Sequence, residues 1–295
     1  MVPSHVSIHA IGVLVLGRCC SGLTLPSFRR QEPEQLLRSF AALSVKGVAA
    51  HRWAHDDAEA TSIMRPLAGA FDELAAAHPD ALAPELAPPP SGTRLSAGAD
   101  HGFHCYAAGT TRAMRWLYAA DGATLDLFRP LAARCATRME ASIFAAGWEP
   151  PHAAPAVELT AASFVAIVGA REGISDDIAR WHEDWGPCDR HEAFSVLLPA
   201  RRVPATAKRA YRLQYRTWDD LDAVREYQYA FGDAIIIDGQ APHRTSPFHA
   251  RDLAGAGGER VLVCLNFAST DPAARDAQRA TMDSQTPNFY HLPED

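Results

Sequence analysis

The segment from Trp181 to Trp185 places an imidazole and a carboxylate two residues apart, a spacing that suits joint binding of a metal ion. In an extended strand, residues i and i+2 project from the same face, so His182 and Asp184 are expected to point together. Trp181, Glu183 and Trp185 then point to the opposite face. The segment therefore predicts two ligands of a metal site and leaves the Glu183 carboxylate outside it.

A third ligand is expected at His243, brought close by strand pairing. Gly232-Asp233 introduces a short apolar strand, Ala234 to Ile237, and His243 follows after a brief loop. Two imidazoles and one carboxylate on one face of an octahedral ion leave three positions open, which is the ligand set of non-haem Fe(II) oxygenases. The ligand types suit iron, because imidazole and carboxylate bind it well and soft thiolates are not needed.

His182-x-Asp184, then His243, then an arginine that opens a later strand, together resemble the Fe(II)/2-oxoglutarate-dependent dioxygenases. The resemblance covers roughly residues 164–267, which lie within the last half of the chain. It implies an α+β fold whose core is a double-stranded β-helix (jelly roll), with N-terminal and flanking helices. It also implies bound Fe(II), with 2-oxoglutarate and O₂ as co-substrates, and release of succinate and CO₂ as the substrate is oxidised.

The resemblance further implies a basic residue that pairs with the distal carboxylate of 2-oxoglutarate. Arginine suits this role because its planar guanidinium matches a carboxylate with two parallel hydrogen bonds. Arg260 is the first choice, since it begins a strand and shares a face with Leu262, Cys264 and Asn266. Arg251 is the second choice. It lies nearer to His243 in sequence, but in a Gly/Ala/Asp-rich loop that does not fix its direction.

Hydroxylation of a small-molecule or peptidyl substrate is the expected reaction, because it is the commonest outcome in the family. Desaturation, ring closure and demethylation stay open at this point, as does the identity of the substrate. Two alternative functions are a cupin-type metal enzyme that does not use 2-oxoglutarate, and a non-catalytic jelly-roll binding module. The first would keep the three ligands without needing Arg260, and the second would show no dependence on metal.

The elements that position these residues change character along the chain. Apolar residues at helical spacing predict three helices, at Glu34–Val45, Asp57–Ala77 and Thr124–Ala146. Proline-rich residues 78–98 predict a loop. Short apolar or alternating runs then predict strands at Ser163–Val168, Ile178–Trp185, Ala193–Leu198, Tyr211–Thr217, Ala234–Ile237 and Arg260–Phe267. Several short strands separated by turns indicate an antiparallel sandwich or barrel.

This pattern suggests three regions. Residues 1–32 are a possible targeting or disordered segment, residues 33–150 a mainly helical part that packs on the core, and residues 151–295 the jelly-roll catalytic core. The first acidic residue is Glu32, and Arg18, Arg29 and Arg30 precede it, a composition that resembles an organelle transit peptide. No lysine or arginine precedes the apolar run at 11–16, which favours the cytoplasm or an organelle over secretion.

Composition narrows the function classes. With 295 residues, 47% hydrophobic and 21% charged, the chain has ordinary globular usage and enough length for a sizeable core. A net charge of -7 argues against a nucleic-acid-binding protein, which would normally be basic. The six cysteines form no CxxC pair, so neither a thiolate zinc site nor a disulfide framework is expected. No run of roughly 20 apolar residues predicts a membrane span.

Overall fold

Two antiparallel β-sheets form the centre of the structure, which is a computed structural model. It describes residues 46–82, 102–107, 114–136, 157–168, 173–176, 179–185, 188, 190 and 192–285. Among these residues, the larger sheet has seven strands and the smaller has three. The expected antiparallel sandwich is confirmed.

The strands have the following bounds: β1 Val48–Arg52, β2 Phe103–Ala107, β3 Met114–Ala119, β4 Val157–Val168, β5 Ala193–Pro199, β6 Arg212–Thr217, β7 Asp220–Gln228, β8 Asp233–Asp238, β9 His243–Thr245 and β10 Glu259–Ser269. The strand order is β1-β8-β5-β10-β4-β3-β2 in the larger sheet and β7-β6-β9 in the smaller. Five of the six predicted strands are confirmed, as β4, β5, β6, β8 and β10. The sixth, at residues 178–185, is wrong as a strand, because its described part makes only an isolated bridge at His182.

The helix predicted at residues 57–77 is confirmed as α1, Asp57–Ala77. Asp56 caps it, because its side chain accepts a hydrogen bond from the Glu59 backbone N–H. A short helix, α2, follows at Pro79–Leu82. The predicted helix at residues 124–146 is described as far as residue 136. There it consists of α3, Gly122–Asp126, and a second helical stretch over 129–136, separated by a turn.

The last helix, α4, spans Pro272–Gln285 and was not predicted. Within the described ranges, no helix combines the length and the apolarity that crossing a membrane requires. The predicted helix at residues 34–45 and the segment 1–32 lie outside the described residues.

Residues 48–119 contribute three strands to the larger sheet. β1 pairs with β8, and β2 pairs with β3, which in turn pairs with β4. The N-terminal part predicted as mainly helical, residues 33–150, therefore also supplies strands to the sheet that holds β5 and β10. Its strands are five or six residues long, too short to show a strong periodic pattern in the sequence.

Each face of the larger sheet buries its own apolar layer. On one face, α1 packs Met64, Leu67 and Phe71 against strand residues such as Phe164 and Val263. On the other face, a second layer lies between the two sheets and includes Ile235, Ile237, Leu262, Tyr211 and Leu213. The side chains of β10 alternate between these two layers, and its even-numbered residues from Arg260 onward face the smaller sheet. The candidate polar residues of β10 therefore lie inside the sandwich.

Two glycines differ in the space around them, and replacing each by alanine tests how closely the neighbouring segments pack. Gly173 has φ +81°, and a Cβ there would lie 2.2 Å from the Phe248 carbonyl oxygen, beside the Ile174–Phe248 bridge. Gly69 lies in α1, and a Cβ there meets nothing within 4 Å. We expect Gly173→Ala to lower the free energy of unfolding by roughly 3 kcal/mol.

The matched change Gly69→Ala should raise the free energy of unfolding by about 0.5–1 kcal/mol, because alanine loses less backbone entropy in a helix. Urea denaturation of both variants checks the pair. Equal effects of the two substitutions would show that the close approach at Gly173 does not constrain the chain.

Candidate metal centre

The segment that carries His182 and Asp184 joins the smaller sheet through one residue pair. The His182 N–H donates to the His243 carbonyl at 3.1 Å, and the His243 N–H donates to the His182 carbonyl at 3.0 Å. His243 is the first residue of β9, which itself pairs with β6. This reciprocal bridge brings the two histidines together, although the residues around His182 do not form the extended strand that was predicted.

The side chains of His182, Asp184 and His243 converge. His182 Nε2 lies 3.6 Å from Asp184 Oδ1, and His243 Nε2 lies 3.6 Å from Asp184 Oδ2. The potential ligand atoms of the three residues all lie within 4.8 Å of one another. Atoms at metal–ligand distances of about 2.0–2.2 Å from one ion, on one face of an octahedron, would lie about 3 Å apart. The three side chains are therefore close enough to hold one metal ion after a small inward movement.

Both imidazole rings are oriented by backbone carbonyls. His182 Nδ1 lies 3.1 Å from the Arg180 carbonyl oxygen, and His243 Nδ1 lies 3.0 Å from that of Ala241. A carbonyl can only accept, so each Nδ1 carries the proton and each Nε2 keeps its lone pair. This is the arrangement that metal-binding histidines usually have, with the outer nitrogen donating to a fixed acceptor.

The electrostatics of the site favour its metal-binding protonation state. Burial raises the pKa of Asp184, but the charges of His243 and His182 and a hydrogen bond from Ser195 outweigh it, so the net shift is downward. The pKa of His243 is lowered, chiefly by burial, although Asp184 opposes that effect. An ionised carboxylate and a neutral imidazole are the forms that bind a metal.

These shifts predict how the stability of the metal-free protein depends on pH. His243 keeps a lowered pKa in the folded state, so below its ordinary value of 6.5 the unfolded chain binds more protons there than the folded chain does. Stability should therefore fall as the pH decreases through this range. One proton of difference corresponds to a slope of at most about 1.4 kcal/mol per pH unit.

The comparison that isolates His243 is wild type against His243→Gln. Urea unfolding without metal at pH values from about 7.5 to about 5.5 should show a shallower decline for the variant. Parallel declines would show that His243 does not titrate differently in the two states.

The triad lies where the interior of the sandwich meets its surface. The side chain of His243 is 4% exposed, whereas that of His182 is 51% exposed. On the other side of the backbone, Trp185 is buried beside Cys188 and Ala193. Trp181 lies against the guanidinium groups of Arg216 and Arg244, at 4.6 Å and 5.0 Å from its ring centroid. Both tryptophans thus pack against residues outside the triad.

Arg260 is buried inside the sandwich, at 1% exposure, whereas Arg251 is exposed on a 3₁₀ helix at Ala250–Ala256. Arg260 Nη1 donates to the Ala210 carbonyl at 2.9 Å, and its guanidinium carbon lies 5.5 Å from the Tyr229 ring centroid. Burial lowers the pKa of its guanidinium below the ordinary value for arginine. Its Nε is buried without a hydrogen-bond partner, which leaves a donor available to an anion.

Tyr229 lies close to both Arg260 and the triad, and the sequence did not single it out. Its pKa is raised, chiefly by burial; the charge of Arg260 lowers it and that of Asp184 raises it. Its hydroxyl is buried without a hydrogen-bond partner. Tyr215, noted from the sequence as a possible pocket residue, lies on β6, half-buried and opposite His243. The interior between Asp184 and Arg260 thus contains unpaired donors that fit an anionic ligand.

No protein-family model matches the sequence, and neither does any curated protein. Solved structures do match in fold. A prolyl hydroxylase from Trichoplax adhaerens, in complex with a peptide fragment of the hypoxia inducible factor oxygen degradation domain, matches 83% of this chain and 94% of its own, with TM-score 0.50 and 10% identity. A Pseudomonas putida prolyl-4-hydroxylase matches 80% of this chain and 100% of its own, with TM-score 0.46 and 15% identity.

A third match is the non-heme alpha ketoglutarate dependent epimerase SnoN from nogalamycin biosynthesis, with TM-score 0.48 and 14% identity over 80% of this chain and 83% of its own. At sequence identities this low, the structural likeness shows a shared fold and nothing more. The chain therefore shares with the prolyl hydroxylase of Trichoplax adhaerens an antiparallel sandwich with helices packed against it.

Proposed function

We propose that this protein is a non-haem Fe(II)- and 2-oxoglutarate-dependent oxygenase. The observation that carries the proposal is the combination of two sites. One is a triad of His182, Asp184 and His243 whose imidazole Nε2 atoms converge on a carboxylate. The other is Arg260, buried in the interior with an unpaired donor. Tyr229 lies close to both.

The proposed roles follow from these contacts. His182, Asp184 and His243 would hold Fe(II), and Arg260 would pair with the distal carboxylate of 2-oxoglutarate, assisted by the Tyr229 hydroxyl. The bound iron supplies the activation of O₂ that couples decarboxylation of 2-oxoglutarate to oxidation of the substrate. The protein fixes the ligands, orients the co-substrate and shields the interior from water. Arg251 is not proposed as the anchor, because it is exposed on its 3₁₀ helix.

The strand pairing supports a jelly-roll core for this site. β4, β10, β5 and β8 are consecutive neighbours in the larger sheet, and the bridge at His182 adds that segment to β9, β6 and β7 in the smaller sheet. Numbered in chain order from β4, the eight segments therefore form two sheets in the orders 1-8-3-6 and 2-7-4-5. That order is the one expected of a double-sheet jelly roll built from two Greek keys, and it supports this fold for the proposed core.

We propose hydroxylation of a small-molecule or peptidyl substrate as the reaction. The prolyl hydroxylase that shares the fold was solved with a peptide fragment, which supports the peptidyl choice as the first class to screen. The alternative of a cupin-type metal enzyme without 2-oxoglutarate would make no use of Arg260. The buried, unpaired donor at Arg260 favours the 2-oxoglutarate-dependent function, because an unused buried charge is costly.

The experiment that tests the proposal is a titration under anaerobic conditions. Fe(II) and 2-oxoglutarate are added to the purified protein, and the weak visible charge-transfer band of the chelated ferrous ion is recorded. We expect a band in wild type, none in His243→Ala, and a weakened band in Arg260→Ala that needs more 2-oxoglutarate to appear. Arg251→Ala is the matched control and should titrate like wild type. A folded, iron-loaded wild type without the band would overturn the proposal.

A further inference from the structure

Ser195 and Asn266 form a buried polar pair behind Asp184. They face each other across the ladder between β5 and β10. Ser195 is 1% exposed and Asn266 is 3% exposed, and Ser195 Oγ lies 3.3 Å from the Asn266 side-chain amide oxygen. The segment of Asp184 is tied to the same strand, because the Trp185 N–H donates to the Gly239 carbonyl at 3.0 Å and the Gly239 N–H donates to the carbonyl of the first residue of β5 at 2.8 Å. The Ser195 hydroxyl lies within hydrogen-bonding reach of the Asp184 carboxylate and lowers its pKa. Ser195 is therefore in contact with both Asp184 and Asn266.

The hydrogen-bonding capacity of these groups determines the direction of the hydrogen-bond chain that links them. An ionised carboxylate only accepts, and a serine hydroxyl has one proton, so Ser195 must donate to Asp184. Its oxygen can then only accept from Asn266. A half-turn of the Asn266 amide places its NH₂ where its oxygen lies, and the two orientations have the same shape. The chain then runs from the Asn266 NH₂ to the Ser195 hydroxyl to the Asp184 carboxylate.

The way in which the three triad residues are held explains why Asp184 needs such a hydrogen-bond chain. Each histidine has its own backbone acceptor, at Arg180 and at Ala241. Asp184 lies at a bend outside any strand, and its side chain is 27% exposed. A carboxylate there is free to rotate about its side-chain bonds unless another group fixes it. Ser195, on the central strand β5, reaches the carboxylate from outside the triad.

We propose that Ser195 and Asn266 act as positioning residues that fix the Asp184 carboxylate in its metal-binding orientation, an inference that rests on the proposed metal site. Neither residue touches the metal or the co-substrate in this role. Their contribution is to hold one ligand in place before the ion arrives, which strengthens binding because less order has to be imposed later. Cys264, whose sulfur lies 3.6 Å from Asn266 Oδ1, borders the chain on the same strand.

The test measures divalent-metal affinity, with Co(II) as the probe, because its absorption spectrum reports on the ligand geometry. The variants are Ser195→Ala, Asn266→Ala and the double variant. Ser163→Ala is the matched control: Ser163 is also fully buried beside β10, but on β4 and opposite Cys264. Urea unfolding of each metal-free variant shows whether the fold is retained, and the two single variants test the chain from opposite ends.

We expect Ser195→Ala to weaken Co(II) binding by about 10- to 100-fold and to alter the Co(II) spectrum. Asn266→Ala should weaken it less, and the double variant should bind about as well as Ser195→Ala alone, because both changes break one chain. Ser163→Ala should stay within about twofold of wild type. Wild-type affinity in Ser195→Ala, or multiplied losses in the double variant, would overturn the inference. A wild type that binds no Co(II) would overturn the metal site itself.

Discussion

Replacing Asp184 by alanine is expected to abolish metal-dependent turnover and to remove the stabilisation that a bound metal gives. Asp184 lies 3.6 Å from the Nε2 atoms of both histidines and supplies the negative charge of the triad. Losing a ligand worth about 4 kcal/mol lowers succinate formation on the order of 1000-fold. Succinate released from 2-oxoglutarate, with Fe(II) and O₂ present, is the quantity to measure.

A second readout of Asp184→Ala does not depend on turnover. A metal at 100 times its Kd stabilises the folded protein by about 2.7 kcal/mol, provided that the unfolded chain does not bind it. The melting temperature of wild type should therefore rise on adding Fe(II) or Mn(II), and that of Asp184→Ala should not. In the metal-free state the two proteins should unfold at similar temperatures.

The matched control for Asp184→Ala is Glu183→Ala, which removes the neighbouring carboxylate. Glu183 is exposed and belongs to no metal-binding group among the described residues. Its variant should retain both turnover and the metal-dependent rise in melting temperature. Equal losses in the two variants would mean that the segment responds to total charge and that Asp184 has no specific role as a ligand.

Of the five strands that the sequence predicted, four are largely buried on both faces, and β6 was predicted from its alternation instead. β5 and β8 are buried along nearly their whole length, so their apolar runs were visible without any structural information. β7 has a largely exposed pattern and alternates too weakly to be recognised. β9 is only three residues long, and it exists because β6 pairs with it. Short or exposed strands are defined by their partners, which a local pattern does not contain.

The candidate metal centre shows the same limit of prediction from local sequence. His182 and Asp184 share a spacing, so their convergence could be predicted from two positions of one segment. Tyr229 lies just beyond β7, in a segment without a recognisable motif. Its closeness to Arg260 and to the triad is visible only in the folded structure. In the sequence, Ser195 is a single polar residue within an apolar strand. Residues that act through a neighbour on another strand carry no signal in their own segment.

Arg260→Ala is expected to weaken 2-oxoglutarate binding strongly while leaving metal binding intact. Truncating one partner of a buried, hydrogen-bonded charge pair costs about 2–5 kcal/mol. The KM for 2-oxoglutarate should therefore rise by roughly 30-fold to more than 1000-fold. Co(II) affinity should stay near that of wild type, because Arg260 is not among the ligand atoms that converge on Asp184. The split between the two affinities separates an anchoring role from a general loss of structure.

Two further variants sharpen the test of Arg260. Arg260→Lys keeps a charge but loses the planar pair of donors, so its KM should lie between those of wild type and Arg260→Ala. Arg251→Ala removes an exposed arginine of the 3₁₀ helix and should leave the KM unchanged. Thermal unfolding checks the fold, since Arg260 also donates to the Ala210 carbonyl. If neither arginine affects 2-oxoglutarate affinity while the triad still binds metal, the cupin-type enzyme becomes the better interpretation, because its chemistry needs the three ligands and no buried anchor for a dicarboxylate.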